Sequence, residues 1–326
     1  MEIIETASDF EKIKSGCVLT IGNFDGVHKG HQLILAKAGI IANEKQTSLV
    51  AMTFEPHPVA ILHPEKAPGV LTTLELKQDL LANCGVDYLV VLRDGAKMLN
   101  LSPKDFVDEF LMKNISPSVV VEGNDFNFGA NRSGNIDTLK QLGEEKGFDV
   151  TVIEPQEVKL NTGQTVKVSS TMIRYMLESG HVTDAAAALG RTYRLVEKII
   201  SGRGIGKELG YPTLNMAKPT QIIPAEGVYA GFVEVEDSFE KVRKANKRVP
   251  AVFSIGQART YGPDHPLLIE AHLLDKNIKQ DLADKWMAMD FVQHIRSQHK
   301  FKSEKELADQ IANDCETAKN ILSIIN

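Results

Sequence analysis

A chain of 326 residues with 43% hydrophobic and 25% charged residues is long enough for about two packed domains and has the composition of an ordinary globular protein. Its net charge of −6 argues against nucleic acid as the main partner, since such binders present a basic face. No apolar run approaches the roughly 18 residues of a membrane helix and no basic-plus-apolar leader opens the chain, so a cytoplasmic protein with no membrane partner is expected.

Residues 17–21 predict a buried strand, and residues 32–42, apolar at Leu33, Ile34, Ala36, Ile40 and Ile41, a helix. Between them lies a turn, Gly22-Asn23-Phe24-Asp25-Gly26-Val27-His28-Lys29-Gly30-His31. A helix start leaves backbone N–H groups unpaired and carries partial positive charge, so the turn is an anion site before any side chain is counted. His28 and His31, three apart, fall on one side of the first helical turn and can each offer an N–H to one phosphate chain, with no side chain at Gly30 to obstruct it. Taken alone, the pair reads equally well as surface residues of a strand-to-helix loop. Zinc is disfavoured because no cysteine pair or H-E-x-x-H accompanies it.

Residues 48–54 predict a second strand, which Glu55-Pro56-His57-Pro58 stops. A helix over 73–83 with Leu74, Leu76, Leu80 and Leu81 as its stripe, a strand at 87–92, and a helix over 103–112 begun by Ser102 follow. A strand at 118–121, a helix over 136–146 and a strand at 149–153 complete the series. Continuous apolar strands alternating with helices make the first half α/β, with a parallel, doubly wound sheet. Cys17, Cys84 and Cys315 are far apart with no C-x-x-C, and read as reduced thiols.

Three segments at strand ends and helix starts stand out. Phe54 and Pro56 belong to a rigid turn that also holds His57. In Asp125-Phe126-Asn127-Phe128-Gly129 the aromatics suit stacking on a flat ring and Asp125 and Asn127 suit its polar edges, although two phenylalanines near a glycine are more often core. In Val168-Ser169-Ser170-Thr171-Met172-Ile173-Arg174 a serine caps a helix, and the hydroxyls with Arg174 one turn on also form a phosphate clamp.

A helix over 181–189 ends at Gly190, a C-cap signal. Beyond it the pattern changes to consecutive strands at 195–201, 227–234, 249–255 and 267–274, which predicts an antiparallel β barrel or sandwich and domains at 1–186 and 187–326. Ser303 and Glu306 form a capping box for a final helix whose face of Leu307, Ile311, Cys315, Ala318, Leu322 and Ile325 covers the barrel. Gly202, Gly204, Gly206 and Gly210, with Lys207, crowd the stretch before Pro212-Thr213-Leu214-Asn215. A backbone so bare of side chains wraps polyphosphates, although any flexible turn is glycine-rich, and it fits neither a Walker loop nor G-x-G-x-x-G. Glu270 interrupts an apolar strand and shares a face with His272. It is either a charge turned to solvent on an edge strand or a group with a task.

The stretch from Gly22 to His31 resembles the H-x-G-H signature of nucleotidylyltransferases, and Phe54–Pro58, Asp125–Gly129 and Ser169–Arg174 resemble further segments of the bifunctional riboflavin kinase/FMN adenylyltransferase family. Pro212-Thr213-Leu214-Asn215 is similar to its P-T-x-N kinase signature. The resemblance covers nearly the whole chain and implies a Rossmann-like nucleotidylyltransferase domain followed by a Greek-key β-barrel with a C-terminal helix. The barrel would turn riboflavin into FMN with MgATP, releasing ADP, and the first domain would join FMN to AMP from a second ATP, giving FAD and pyrophosphate. It implies His28 and His31 as charge stabilisers, Gly22, Asn23, Phe24, Asp25, Gly26 and Gly30 at the nucleotide, and Ser169, Ser170, Thr171 and Arg174 on the pyrophosphate. Phe54, Pro56, Asp125, Asn127, Phe128 and Arg296, the last in a loop, would meet the flavin. Gly202, Gly204, Gly206, Lys207, Gly210 and Pro212 would hold the second ATP, Thr213 and Asn215 its Mg²⁺, and Glu270 would be general base. Arg259 replaces a customary proline and Glu197 a common glycine, departures that touch the strand-turn contacts of the second half. A monomer or weak homo-oligomer is expected. A related enzyme with another acceptor would leave Pro212–Asn215 and Glu270 without a purpose, and a flavin sensor without turnover would not need the two histidines and Glu270.

Overall fold

The computed structural model describes residues 1–93, 95–202, 204–257, 267–274 and 282–324. It divides into two compact units, Met1–Val158 with Thr165–Ser170, and Lys159–Gln164 with Thr171–Asn326. Arg259 and Ile325 lie outside the described residues.

In the first unit six parallel strands, β1 (Glu2–Ile4), β2 (Val18–Ile21), β3 (Leu49–Phe54), β4 (Tyr88–Leu92), β5 (Val119–Gly123) and β6 (Asp149–Ile153), form one sheet in the order β1-β4-β3-β2-β5-β6. Their apolar residues alternate between two cores. Leu19, Ile21, Val50, Met52 and Val120 pack on one face with Phe106, Leu111 and Leu139. Val18, Leu49, Ala51, Leu89 and Val121 pack on the other with Leu35 and Ala38 of α1 (Lys29–Glu44) and Leu81 of α2 (Leu74–Asn83). A strand covered on both faces has no polar side to show, which is why these runs carry no alternation in the sequence. The third long helix, α3 (Ile136–Lys146), ends on Gly147 in the left-handed region at φ 83°, its C-cap. The helix expected over 103–112 is one α turn, Pro103–Asp105, followed by a π-helical stretch, Phe106–Met112.

Strand order reverses between β2 and β5, the switch point where open α/β sheets bind ligands. The β2–β5 ladder pairs only Val18 with Val119 and Leu19 with Val120. Beyond it the Ile21 N–H donates to the Glu122 carboxylate at 2.5 Å instead of to a strand carbonyl. The crevice therefore has a buried acidic side chain in its floor.

In the second unit α4 (Ser170–Glu178) and α5 (Val182–Leu189) precede a closed barrel. Its six antiparallel strands are β7 (Tyr193–Ile200), β8 (Thr213–Met216), β9 (Gly227–Glu236), β10 (Val249–Gln257), β11 (Leu267–Leu273) and β12 (Trp286–Arg296), in the order β7-β8-β11-β10-β9-β12. β8 lies beside β11, the end of the β9-β10-β11 meander, which is Greek-key pairing. Two strands are additional to those expected: β8 is only four residues, and β12 carries Asp290 and Gln293 among its apolar residues, so neither shows as a clean run. Tyr229, Phe253 and Phe291 meet edge-to-face inside, with centroids 5.0 to 5.4 Å apart. The final helix α6 (Glu304–Ser323) lays Ala318 and Leu322 on Val228, Phe232 and Val252. Ser303 Oγ accepts from the Glu306 N–H as its cap, while the Glu306 carboxylate takes the Lys302 N–H, one residue ahead of the reciprocal capping-box partner. No described helix is long and apolar enough to cross a membrane.

Candidate active sites

The turn after β2 is conformationally strained. Phe24 and Val27 have φ of 47° and 37°, with Gly26 between them at 82°. A left-handed β-branched residue is a costly outlier, of order 1–3 kcal/mol, that persists only when its surroundings impose it. Here the surroundings are visible. Phe24 and Val27 are buried, and the Asp25 carboxylate accepts from the N–H groups of Leu71 and Thr72 at 3.0 Å and from the Thr72 hydroxyl at 3.3 Å. The Thr72 hydroxyl oxygen also accepts from the Gly26 N–H, and the Asp25 carbonyl accepts from Ser170 Oγ at 2.9 Å. Asp25 is thus a latch that holds the turn, with its carboxylate committed to backbone.

The latch sets two imidazoles at the helix mouth. His28 is the N-cap of α1 and not part of its first turn, and the helix begins three residues earlier than expected, at Lys29. His28 Nδ1 accepts from the His31 N–H at 3.3 Å, so a neutral His28 ring carries its proton on Nε2. The two rings stack with centroids 3.7 Å apart, and Phe24 meets His31 edge-on at 5.2 Å. A Cβ on Gly30 would lie 3.2 Å from the His28 ring, so the glycine makes room for the imidazole as well as for any ligand. His31 Nδ1 is buried with no hydrogen-bond partner among the described residues. Burial first, then His28 and Lys77, hold His31 well below the usual histidine range.

Around this mouth, Asn23 Nδ2 lies 3.1 Å from His57 Nε2, and the Thr53 hydroxyl donates to the Asn23 carbonyl. Gly22 donates its N–H to Met52. Phe54 is half-buried at the end of β3, and Pro56 is exposed. Asp125 and Asn127 are exposed, whereas Phe128 is drawn into the core, stacked on Phe126 at 5.6 Å and tilted against Phe106 at 5.8 Å. The Ser170 hydroxyl is given to Asp25, and Ser169 is exposed. Thr171 and Arg174 follow on α4 and belong to the second unit.

In the barrel the register assembles the other cluster. Thr213 pairs with His272 and Asn215 with Glu270 across β8–β11, and Ser254 pairs with Glu270 across β10–β11. Opposite residues stand about 4.5–5.5 Å apart on one face, so Thr213, Asn215, Glu270, His272 and Ser254 share one patch. Glu270 lies on a central strand, not at an edge, and its Oε1 accepts from Thr213 Oγ1 at 3.2 Å. His272 donates from Nδ1 to the Pro212 carbonyl at 2.8 Å and meets Tyr211 edge-on.

The glycine stretch holds a helical turn, Ile205–Glu208, and two of its glycines have packing reasons. A Cβ on Gly202 would come within 2.2 Å of Asn215 Nδ2, and one on Gly206 within 2.5 Å of the Tyr211 carbonyl. Gly204 and Gly210 adopt φ of 80° and 87°, and Lys207 is exposed. Glu197 folds its carboxylate onto the next N–H, that of Lys198. Arg296 closes β12 and does not sit in a loop. Its guanidinium clasps the buried Asp314 of α6 with three contacts of 2.8 to 3.1 Å.

Sequence reasoning passed over two buried polar groups of the first unit. Glu122 extends the run of β5, and burial, reinforced by Asp125, pushes its carboxyl well above the usual range. Lys77 is 5% exposed on α2. Its position, three residues after Leu74 and four before Leu81, puts it in the apolar stripe, a detectable sign that the lysine was inward.

Comparison with known proteins follows the same division. A family profile described as FAD synthetase matches residues 10–172, and one described as riboflavin kinase matches 189–322. The chain is 34% identical over 311 residues to the bifunctional riboflavin kinase/FMN adenylyltransferase of Escherichia coli (strain K12), covering 95% of this chain and 94% of that one. To the protein of that name from Pseudomonas fluorescens it is 32% identical over 319 residues, covering 98% and 97%. Among solved structures it is similar to one titled macrolide-efflux protein from Streptococcus pneumoniae, with TM-score 0.83 and 27% identity over 98% of this chain and 99% of that one.

Proposed function

Because the chain belongs to the bifunctional riboflavin kinase/FMN adenylyltransferase family, we propose that its two clusters are two ATP sites acting in series on one flavin. The C-terminal barrel phosphorylates riboflavin to FMN and the N-terminal α/β domain adenylylates FMN to FAD, so riboflavin, FMN and ATP are substrates and FAD and pyrophosphate are released. The observation that carries the assignment is that His28 and His31 lie in one compact unit and Thr213, Asn215 and Glu270 in the other. We assign 1–186 and 187–326 to the two activities. The family matches, ending at 172 and beginning at 189, support a boundary between those points.

In adenylylation the FMN phosphate oxygen attacks the α-phosphorus and the bond to pyrophosphate breaks. Such transfers need positioning and donors aimed at growing charge more than covalent chemistry. His28 and His31 supply ring N–H donors at the mouth of α1, and the turn Gly22–Gly26 supplies backbone around the nucleotide. The sequence motif assigns the departing pyrophosphate to Ser169, Ser170, Thr171 and Arg174. Phe54, Pro56, Asp125 and Asn127 are assigned to the flavin, with Phe128 as their buried support.

In the kinase step Glu270 accepts the proton of the riboflavin terminal hydroxyl as its oxygen attacks the γ-phosphorus and ADP leaves. Gly202, Gly204, Gly206, Lys207, Gly210 and Pro212 are assigned to the triphosphate, and Arg296 holds the end of β12 beside the flavin. Thr213 and Asn215 offer two hard oxygen donors from one strand. That sparse set fits Mg²⁺, which takes few protein ligands and draws the rest from phosphates and water. When bound, the ion neutralises phosphate charge. The fold and composition support a cytoplasmic enzyme.

The test is direct. Purified protein with riboflavin and MgATP, its products separated by chromatography, is expected to yield FMN and then FAD with pyrophosphate. Formation of neither product would overturn the reading.

A further inference from the structure

The helix mouth has a buried lysine beside it that the chemistry above does not use. Lys77 is buried between α2 and the turn after β2, with its Nζ 3.7 Å from Glu55 Oε2 at the end of β3. Three elements face it with titratable groups: Glu55 after β3, Asp25 in the turn, and His31 at the start of α1 with His28 stacked behind. Asp25 is already engaged by Leu71 and Thr72. The ion pair with Glu55 is a loose one, and a buried ammonium so held is costly unless its charge is used.

Resting on the assignment of His28 and His31 to adenylyl transfer, we infer that Lys77 is a positioning residue of that site. Its ammonium, paired with Glu55, supplies positive charge at the mouth of α1 and leaves the stacked imidazoles as neutral hydrogen-bond donors. Two rings 3.7 Å apart repel if both are protonated. A cation placed beside them favours the neutral pair and still offers the approaching triphosphate a positive field, which adds to that of the helix start. Burial lowers Lys77 from its ordinary value, and Glu55 and Asp25 work against that fall. The carboxylates therefore favour the charged lysine, and the lysine favours neutral histidines.

Lys77→Met removes a positive charge that holds His31 low, so His31 becomes easier to protonate. In the full chain, the adenylyltransferase kcat/KM of Lys77→Met at pH 8 is expected to fall at least tenfold, with the acidic limb of its profile displaced to higher pH, while riboflavin phosphorylation is unchanged and Lys77→Arg stays near wild type. Independently of turnover, NMR titration of the His31 ring is expected to show its midpoint rising in Lys77→Met. Glu55→Gln keeps the lysine but removes its carboxylate, and the basic limb of the adenylylation profile is expected to move down in pH. That variant serves if Lys77→Met does not fold. A uniform loss at all pH values, an unmoved His31 midpoint, or an unmoved basic limb in Glu55→Gln would overturn the role of Lys77. Absence of adenylylation in the wild type would overturn instead the assignment of the histidines.

Discussion

Thr213 Oγ1 donates to Glu270 Oε1 at 3.2 Å across 57 positions of chain. Asn215, two residues further along the same strand, stands in register with the same Glu270. One glutamate therefore bonds the first polar residue of a four-residue strand and stands opposite the second, and the barrel register brings them together.

Glu270→Gln keeps that shape but removes the base. Riboflavin phosphorylation is expected to fall by about 10²- to 10⁴-fold, while FAD formation from supplied FMN continues. Separate assays of the two reactions check this, and a variant that lost both or neither would contradict the division of labour.

His28→Ala is the converse case. Losing one such donor costs about 10²- to 10³-fold, here in adenylylation with FMN formation retained. Gly30→Ala keeps both rings but sets a methyl 3.2 Å from the His28 imidazole, so a partial loss, smaller than that of His28→Ala, is expected from the same assay.

Gly202→Ala tests the glycine stretch by sterics alone. Its methyl would lie 2.2 Å from Asn215 Nδ2, so Asn215 must move. The kinase KM for MgATP is expected to rise about tenfold or more, equal to 1.4 kcal/mol, with adenylylation intact. An unchanged KM would remove Asn215 from the nucleotide site.

Glu122→Gln carries a pH signature. Burial raises this carboxyl in the folded state well above its ordinary 4.5, so the folded chain keeps a proton that the unfolded chain releases. The stability this contributes is complete below about pH 4.5 and declines as pH rises toward the folded value. A glutamine has no proton to lose. The melting temperature of the variant is expected to gain on wild type progressively from pH 5 to pH 8, as thermal unfolding across that range would record. A pH-independent difference would show that Glu122 ionises normally.

Asp314→Ala leaves the Arg296 guanidinium without its buried partner and frees α6 from the end of β12. Breaking a buried pair in this way costs about 3 kcal/mol, readable by chemical denaturation as a shift in the unfolding of the second unit. A loss below about 1 kcal/mol would mean that the helix is held by Ala318 and Leu322 alone.

The first unit is largely legible because fully buried parallel strands announce themselves as unbroken apolar runs, and a cap such as Ser102 works through neighbours in the chain. The barrel is less so. β8 shows in the sequence as a motif and the end of β12, at Arg296, as a loop, since four residues show no period and Asp290 interrupts the other with a charge that Arg194, from a neighbouring strand, answers. Lys77 and Glu122 were overlooked for a related reason: their partners, Glu55 and the Ile21 N–H, come from other elements.

By itself, then, the sequence determined the element types, the change from α/β to consecutive strands, and the residues eligible for chemistry, because propensity, capping and apolar period act over a few positions. Only the tertiary structure decided that Asp25 is a latch, that Arg296 is tied to a helix, that Glu270 answers Thr213, and that a buried lysine meets Glu55. Those outcomes depend on strand register and on which loop meets which, and contacts between distant segments leave no local period to read.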